Sequence, residues 1–302
     1  MSVSPRSQTR RNRTAALAPP CPDRARHAWV WRDPQFDDFL AEPLFDFAMS
    51  LQSRDRFHAK QGRSTARVAL PSRAGCGTLS VYLKRHWNLG RWAAWLACFP
   101  FGQRRSPAAV EWANLHRAQS LGVRVPIPIA CGERVSDRLE FQSFLMIAEL
   151  VGLNESHIVI PALSTTLDPA RFEQWKRRFV RALARLVAKL HDHALFHKDL
   201  YLCHIFVPED GAIDPAARMT LIDLHRLARH RVLPTHWLVK DLGQLLFSTF
   251  GVAGVSQRDR LRFWSIYARL RRLPTRGWLA RQARWKADLY ARHESHRKER
   301  QP

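Results

Sequence analysis

The sequence predicts an α+β chain in two lobes, a strand-rich lobe followed by a larger helical one. Two changes of texture carry this reading. From Phe57 to Glu149, short β-type runs alternate with turn material and are broken by one well-capped helix. Beyond residue 150, apolar residues recur at steps of three and four, and only two short β-type runs interrupt them. The length of 302 residues suits one large domain or two modest lobes with a real core. Hydrophobic residues make up 46% and charged residues 25%, the balance of a globular protein.

The elements follow in order. The start, "MSVSPRSQTRRNRTAALAPPCP", is basic and rich in Ser and Pro, with no apolar h-region. It is not a secretory signal, and residues 1–28 read as a disordered basic tail. Next, "FDDFLAEPLFDFAMSL" places aromatics and acids at helix-like spacing. "RFHAKQG", "STARVAL" and "TLSVYLKRHW" then form a three-stranded meander, separated by Gly62 and by "PSRAGCG". A basic, aromatic insert covers residues 85–106. A helix follows, with Ser106 as N-cap, Pro107 in the first turn and Gly122 as its stop. Val110, Leu115 and Leu121 share one side of it. "VPIPIACGERV" and "LEFQSFLMIAELVG" complete a five-stranded antiparallel first lobe with one helix, residues 29–150.

In the second lobe, residues 151–275, Phe172, Trp175, Phe179, Leu183, Leu186 and Leu190 form the buried face of a long helix. Two short strands, around "HIFV" and "MTLIDL", flank the turn "PEDGAIDP". "THWLVKDLGQLLFSTFG" is another apolar helix, closed by Gly251, and a basic helix starts at Ser256. Residues 276–302 read as a basic extension.

Charge and cysteine usage narrow the setting. Lys and Arg number 49 against 26 Asp and Glu, a net charge of +23. That excess suits a polyanionic partner, although an Arg-rich genome bias accounts for such a balance equally well. The five cysteines, Cys21, Cys76, Cys98, Cys131 and Cys203, form no CxxC pair, which favours free thiols in a reducing compartment over disulfides or zinc. No apolar run reaches the length of a membrane span, and the expected location is cytoplasmic.

A strand lobe with a single helix, then a helical lobe with an embedded hairpin, is the order of a protein-kinase-like bilobal fold. The chemistry of such a fold needs few parts. A lysine must reach nucleotide phosphates, and Lys84, late in the third strand, is the candidate. A glutamate must hold it, and Glu111 lies in the next helix. A carboxylate must orient and deprotonate the attacking hydroxyl. Asp199, in "HKDLYLCHI", stands two residues after His197 and five before His204, the spacing of a kinase catalytic loop with His in the usual Asn place. A second carboxylate must hold Mg²⁺, and Asp223 ends the second hairpin strand. Gly62 with Ser64 and Thr65 offers a reduced phosphate-binding turn. Each residue alone has a plainer reading: a strand-end lysine, a solvated helix glutamate, a turn aspartate. Their order is what speaks for a site.

The strings are more specific than the order. "HKDLYLCHIFV" and "LIDLHRL" resemble the WaaP/Kdo-kinase family of lipopolysaccharide core heptose(I) kinases, which carry H-x-D-x-Y-x-C-H followed by I-D-L-H-R. "WLVKDLGQLLFS", "EWANLHRAQSLGVRVPIPIACGER" and "GRSTARV" extend the similarity over about residues 55–270. The resemblance implies transfer of phosphate from ATP, with Mg²⁺, to a sugar hydroxyl of the lipopolysaccharide inner core, heptose I or Kdo. It implies Asp199 as base, supported by His197, and Lys84 on the phosphates, paired with Glu111. It further implies Asp223 and His204 on the metal or phosphates, and Asp241 bracing the loop. Backbone groups from Glu149 to Val151 would meet adenine.

The implied acceptor is a core oligosaccharide–lipid A precursor, with no nucleic acid as partner. Residues 256–302 hold 14 Lys/Arg and 4 Asp/Glu, and the insert "RHWNLGRWAAWLACFPFGQRR" combines Trp, Phe and basic residues. Both suit peripheral contact with an anionic membrane, while the insert equally suits packing on the first lobe. Three other readings stay open: a kinase of another sugar or small molecule, a non-catalytic pseudokinase module, and an RNA-binding protein using its Arg-rich ends. No RNA-binding motif supports the last.

Overall fold

A computed structural model describes residues 25–53, 56–60, 62–75, 77–98, 106–273 and 276–299. Most of the basic tail, residues 1–24, lies outside them, as do Gln61, Cys76 and residues 99–105 of the insert. Among the described residues Cys98, Cys131 and Cys203 form no disulfide.

The first lobe is built on β1 (Ala25–Arg32), α1 (Leu44–Ser50), β2 (Arg56–Lys60), β3 (Arg63–Pro71) and β4 (Thr78–His86), then α2 (Arg91–Ala97), α3 (Pro107–Ser120), β5 (Pro128–Ser136) and β6 (Phe141–Ala148). The five strands expected from the sequence are joined by a sixth, β1, in the order β1-β5-β6-β4-β3-β2. All five pairings are antiparallel. Residues 25–28, grouped with the tail on charge, therefore belong to the sheet. Trp29 and Trp31 of β1 explain this: their rings meet Trp112 of α3 at 5.2 and 5.3 Å, so the strand seals the helix against the sheet.

Register decides which side chains face the site. Thr65 pairs with Lys84 and Lys84 with Leu145, while Ser64 pairs with Arg85 and Arg85 with Phe144. Successive strand residues point to opposite faces, so Lys84 and Ser64 lie on different sides of the sheet. On the Ser64 side, Leu83, Ala66 and Met146 pack with Leu44, Phe45 and Ala48 of α1. On the Lys84 side, Leu145 and Ile147 join Leu115 of α3 in a core that continues into the second lobe. Ser106 caps α3 by accepting from the Ala109 amide at 3.1 Å. In α2, Ala94 and Ala97 bury against Val135 and Phe141, and Trp92 and Trp95 stay exposed.

The second lobe runs through β7 (Leu153–Glu155), α4 (Ser156–Thr166), α5 (Pro169–Asp192), β8 (Leu195–Phe196), β9 (Ile205–Pro208), α6 (Pro215–Arg218), β10 (Thr220–Leu221), β11 (Ala228–Arg229), α7 (Pro234–Phe247), α8 (Gln257–Leu270) and α9 (Arg276–Glu299). Helix α5 buries Trp175, Phe179, Leu183 and Leu190, the stripe read from the sequence. Strands β8 and β11 pair with each other, and β9 lies between β7 and β10. This small framework carries the loops that bear the site.

The basic extension forms helix α9, which lies along α7. The approach is close at Gly243, where an added Cβ would stand 2.8 Å from Lys286 Cβ. A cavity of about 530 Å³ opens among the helices, lined by Phe179, Leu183, Leu242, Leu245, Phe263 and Trp264. It is apolar and contains none of the polar residues described next. No helix among the described residues is long and apolar enough to cross a membrane.

Candidate active site

The site forms where β4, α3, the loop after β8 and the turn after β10 meet. Lys84 Nζ donates to Glu111 Oε1 at 2.7 Å and lies 3.5 Å from Asp223 Oδ1. Burial opposes the lysine's charge, but the Glu111 and Asp223 carboxylates hold its pKa above the usual value. Glu111 reaches inward because it sits on the face of α3 that also buries Ala108, Leu115 and Ala118. Three residues on, Asn114 Nδ2 donates to the Leu224 and Leu227 carbonyls at 2.9 and 2.8 Å. One helix face therefore holds both the lysine and the loop that follows Asp223.

Asp223 adopts a left-handed backbone, with φ of 60°. Its Oδ1 accepts from His225 at 2.7 Å, and its Oδ2 lies 3.7 Å from His204 Nε2. Burial works against ionisation, but the His225 hydrogen bond and the charge of Lys84 hold the Asp223 carboxyl well below the usual range. His204 Nδ1 lies 2.7 Å from the Asp199 carbonyl. A carbonyl only accepts, so Nδ1 carries a proton, and Nε2 is the ring nitrogen that faces Asp223.

Asp241 of α7 shapes the loop that carries Asp199. Its carboxyl accepts from the His197 and Lys198 amides, both at 2.8 Å, and meets His191 Nε2 at 3.3 Å. That grip fits the positive φ of 70° at Lys198, a conformation that costs energy for a non-glycine residue. His197 is fully buried, and Nε2 donates to the Ile222 carbonyl at 3.0 Å, so the ring links the two loops. Burial pushes its pKa down and keeps it neutral. Cys203 is a packing thiol, its pKa pushed up to about 11 by burial.

Asp199 itself is engaged by Arg226, whose Nη1 stands 3.0 and 2.9 Å from its two oxygens. Gln244 Nε2 lies at 3.5 Å from Asp199 and donates to the Tyr201 hydroxyl at 2.9 Å. Arg226, Gln244 and Asn114 were missed by sequence reasoning. Only Arg226 had a signal, as the final residue of "IDLHR".

One expected position needs correction. Ser64 is not at the site: its hydroxyl is buried on the far side of the sheet, where Arg85 Nε donates to it at 3.4 Å. Thr65 occupies the Lys84 face instead. The Glu149 amide is committed to the Ser80 carbonyl at 3.0 Å, and the Val151 carbonyl accepts from Arg218 at 2.7 Å. The Glu149 carbonyl and the Val151 amide carry no backbone hydrogen bond among the described residues. The Glu149 side chain is held by Arg67 through contacts of 2.7 and 2.8 Å. Gly62 is at the β2–β3 turn with φ of 74°, and an added Cβ would meet the Trp87 carbonyl oxygen at 2.5 Å. That turn admits no side chain there.

The chain is similar to known proteins. A profile of the lipopolysaccharide kinase (Kdo/WaaP) family matches residues 50–267. The lipopolysaccharide core heptose(I) kinase WaaP of Pseudomonas aeruginosa is 33% identical over 163 residues, covering 54% of this chain and 59% of that protein. Its Escherichia coli counterpart is 30% identical over 159 residues, covering 52% of this chain and 58% of that protein. The matches thus span less than two thirds of these relatives' length. A solved structure of WaaP in complex with acyl carrier protein superposes with a TM-score of 0.63 at 28% identity, covering 86% of this chain and 98% of that one. The fold is protein-kinase-like, with an antiparallel strand lobe and a helical lobe. The family profile takes in every residue of the cluster from Gly62 to Gln244, and the chain belongs to the lipopolysaccharide kinase (Kdo/WaaP) family.

Proposed function

We propose that the chain is an ATP-dependent phosphotransferase acting on a sugar hydroxyl of the lipopolysaccharide inner core, heptose I or Kdo. The observation that carries this is the convergence of Lys84, Glu111, Asp223 and His204 beside Asp199. The Glu149 carbonyl and Val151 amide offer an acceptor and a donor for the edge of adenine. Lys84, fixed by Glu111, is placed for the phosphates.

The residues present also fit a magnesium ion. Asp223 is ionised, and His204 Nε2, 3.7 Å from it, would bring a second ligand when deprotonated. An ion held by these two side chains would complete its shell with waters and phosphate oxygens. When bound, Mg²⁺ neutralises charge on the phosphates.

Asp199 orients the acceptor hydroxyl and takes its proton. The hydroxyl oxygen bonds to the terminal phosphorus of ATP, and the bond from that phosphorus to the bridging oxygen breaks, releasing ADP. Asp241 holds the loop still during transfer. The site of action is the cytoplasmic face of the inner membrane. Exposed Trp92 and Trp95, stacked at 4.9 Å, support peripheral contact there. Acyl carrier protein, found with the solved relative, is a second partner for this chain.

One observation favours a different reading. Arg226 Nη1 occupies the Asp199 carboxylate, as a non-catalytic nucleotide-binding module would allow. Phosphotransfer decides between them. With ATP, Mg²⁺ and deacylated core oligosaccharide, wild type forms a phosphorylated sugar. Asp199→Ala lowers turnover by about 10²–10⁴-fold and leaves ATP binding within twofold. ATP binding without transfer to any sugar by wild type supports the module instead. Transfer confined to another small alcohol moves the acceptor outside the core.

A further inference from the structure

A second set of cations, distinct from Lys84, crowds Asp199. Arg226 shares its Nη1 between the two oxygens of that carboxylate. Lys198, the residue before it, holds its ammonium 4.6 Å from the Trp237 ring centre. Lys240, in α7, holds its ammonium 5.7 Å from the same ring. His230 stacks on that ring at 4.3 Å, and its Nε2 is buried without a hydrogen-bond partner.

The local acids do not balance these charges. Asp241 spends its oxygens on two backbone amides and His191. Asp199 is engaged by Arg226. Neither Lys198 nor Lys240 has a carboxylate within 4 Å among the described residues. The crowding shows in Lys240, whose pKa is lowered by burial and by the nearby charges of Arg226 and Lys198. The Trp237 ring attracts Lys198 and Lys240 but carries no net charge, so the cations still repel one another, and an oxyanion among them relieves the repulsion. Arg226 places one nitrogen, Nη1, between the two oxygens of Asp199, which shows that its guanidinium already meets an oxyanion here.

Each cation is also tied to the site by the chain. Lys198 adjoins Asp199, Lys240 adjoins Asp241, and Arg226 stands three residues after Asp223. The charges around Asp223 are different ones, Lys84, His204 and His225. The nucleotide side and this cluster are thus separate, with Asp199 between them.

We infer that Arg226, Lys198 and Lys240 form an anion subsite for the acceptor, which carries a carboxylate or phosphate close to the hydroxyl that receives phosphate. This rests on the phosphotransferase reading but is testable without turnover. Binding of deacylated core oligosaccharide to the full chain is measured by calorimetry without nucleotide. The sugar is used untreated, with its carboxylates methyl-esterified, with its phosphates removed enzymatically, or with both changes. Wild type binds the untreated sugar at least tenfold more tightly than the doubly changed one, and the single treatment that causes the loss identifies the anion.

Lys240→Gln weakens binding of the untreated sugar at least fivefold, leaves the doubly changed sugar and ATP unaffected, and is rescued by Lys240→Arg. Lys198→Gln, at a strained backbone position, is compared only after its unfolding midpoint matches wild type. Equal binding of treated and untreated sugar by wild type overturns the subsite. So does no binding at all, or a Lys240→Gln loss that is the same for both sugars. A charge-dependent, Lys240-dependent interaction with a sugar that is never phosphorylated upholds the subsite and removes the phosphotransferase reading.

Discussion

At the scale of single residues, hydrogen bonds to buried groups dominate the site. Asp241 is fully buried, and two backbone amides of the Asp199 loop end on its carboxyl. An asparagine there keeps one acceptor oxygen and brings an amide nitrogen that repels the second N–H. Asp241→Asn is therefore expected to cost about 1–3 kcal/mol in urea unfolding, and to lower turnover further at temperatures where the variant stays folded. His86 makes a pH prediction. Burial and the charges of Arg63 and Lys84 lower its pKa from 6.5 to about 4. A histidine with a depressed folded pKa binds fewer protons in the fold than in the unfolded chain. Stability is then complete above pH about 6.5 and falls as pH drops toward 4, by up to roughly 3 kcal/mol. His197 pulls in the same direction. The unfolding midpoint should decline across that window, with a shallower slope in His86→Gln. The depressed Asp223 carboxyl acts in a lower window, where its stabilisation is lost as pH falls below the ordinary carboxylate value.

At the scale of elements, alternation and close approach decide placement. The string "GRSTARV" showed a strand with hydroxyls near a glycine, but not which hydroxyl faces Lys84. The pairing of Thr65 with Lys84 settles that, because a shift of one residue exchanges the faces of the whole strand. Helix α9 is a second case. Its sequence reads as polar and basic, and its seat on α7 depends on a residue in the other helix, Gly243. A glycine inside an exposed helix normally costs about 1 kcal/mol relative to alanine. Here the added methyl would press on Lys286 Cβ and Cγ at 2.8 and 2.9 Å. Gly243→Ala is expected to lower the unfolding midpoint despite its helix propensity, and to raise hydrogen exchange in α9. A stabilised protein with unchanged α9 protection would show that the two helices separate at no cost.

At the scale of the whole molecule, the chain carries a net charge of +23, and its site is itself cationic. Long-range attraction to an anionic surface follows, screened with a Debye length of about 10 Å at 0.1 M salt. The exposed Trp92–Trp95 pair adds an apolar contact on the first lobe. Binding to vesicles containing phosphatidylglycerol should weaken steeply between 0.1 and 0.5 M salt. The double change Trp92→Ala, Trp95→Ala should weaken it about tenfold further, without a shift in the unfolding midpoint. Salt-independent binding would count against an electrostatic membrane contact.

The sequence by itself determined the lobe order, the amphipathic stripe of α5, the caps of α3 and α8, and the strings that carry Lys84, Glu111, Asp199 and Asp223. All of these rest on local spacing, because helix and strand periodicity is a short-range property. The tertiary structure alone decided that β1 closes the sheet, that Thr65 and not Ser64 shares the Lys84 face, and that α9 docks on α7. It also decided that Arg226 reaches back 27 residues to Asp199 and Arg67 forward 82 residues to Glu149. Such pairs depend on which faces meet after the lobes fold together, and spacing along the chain carries no record of that.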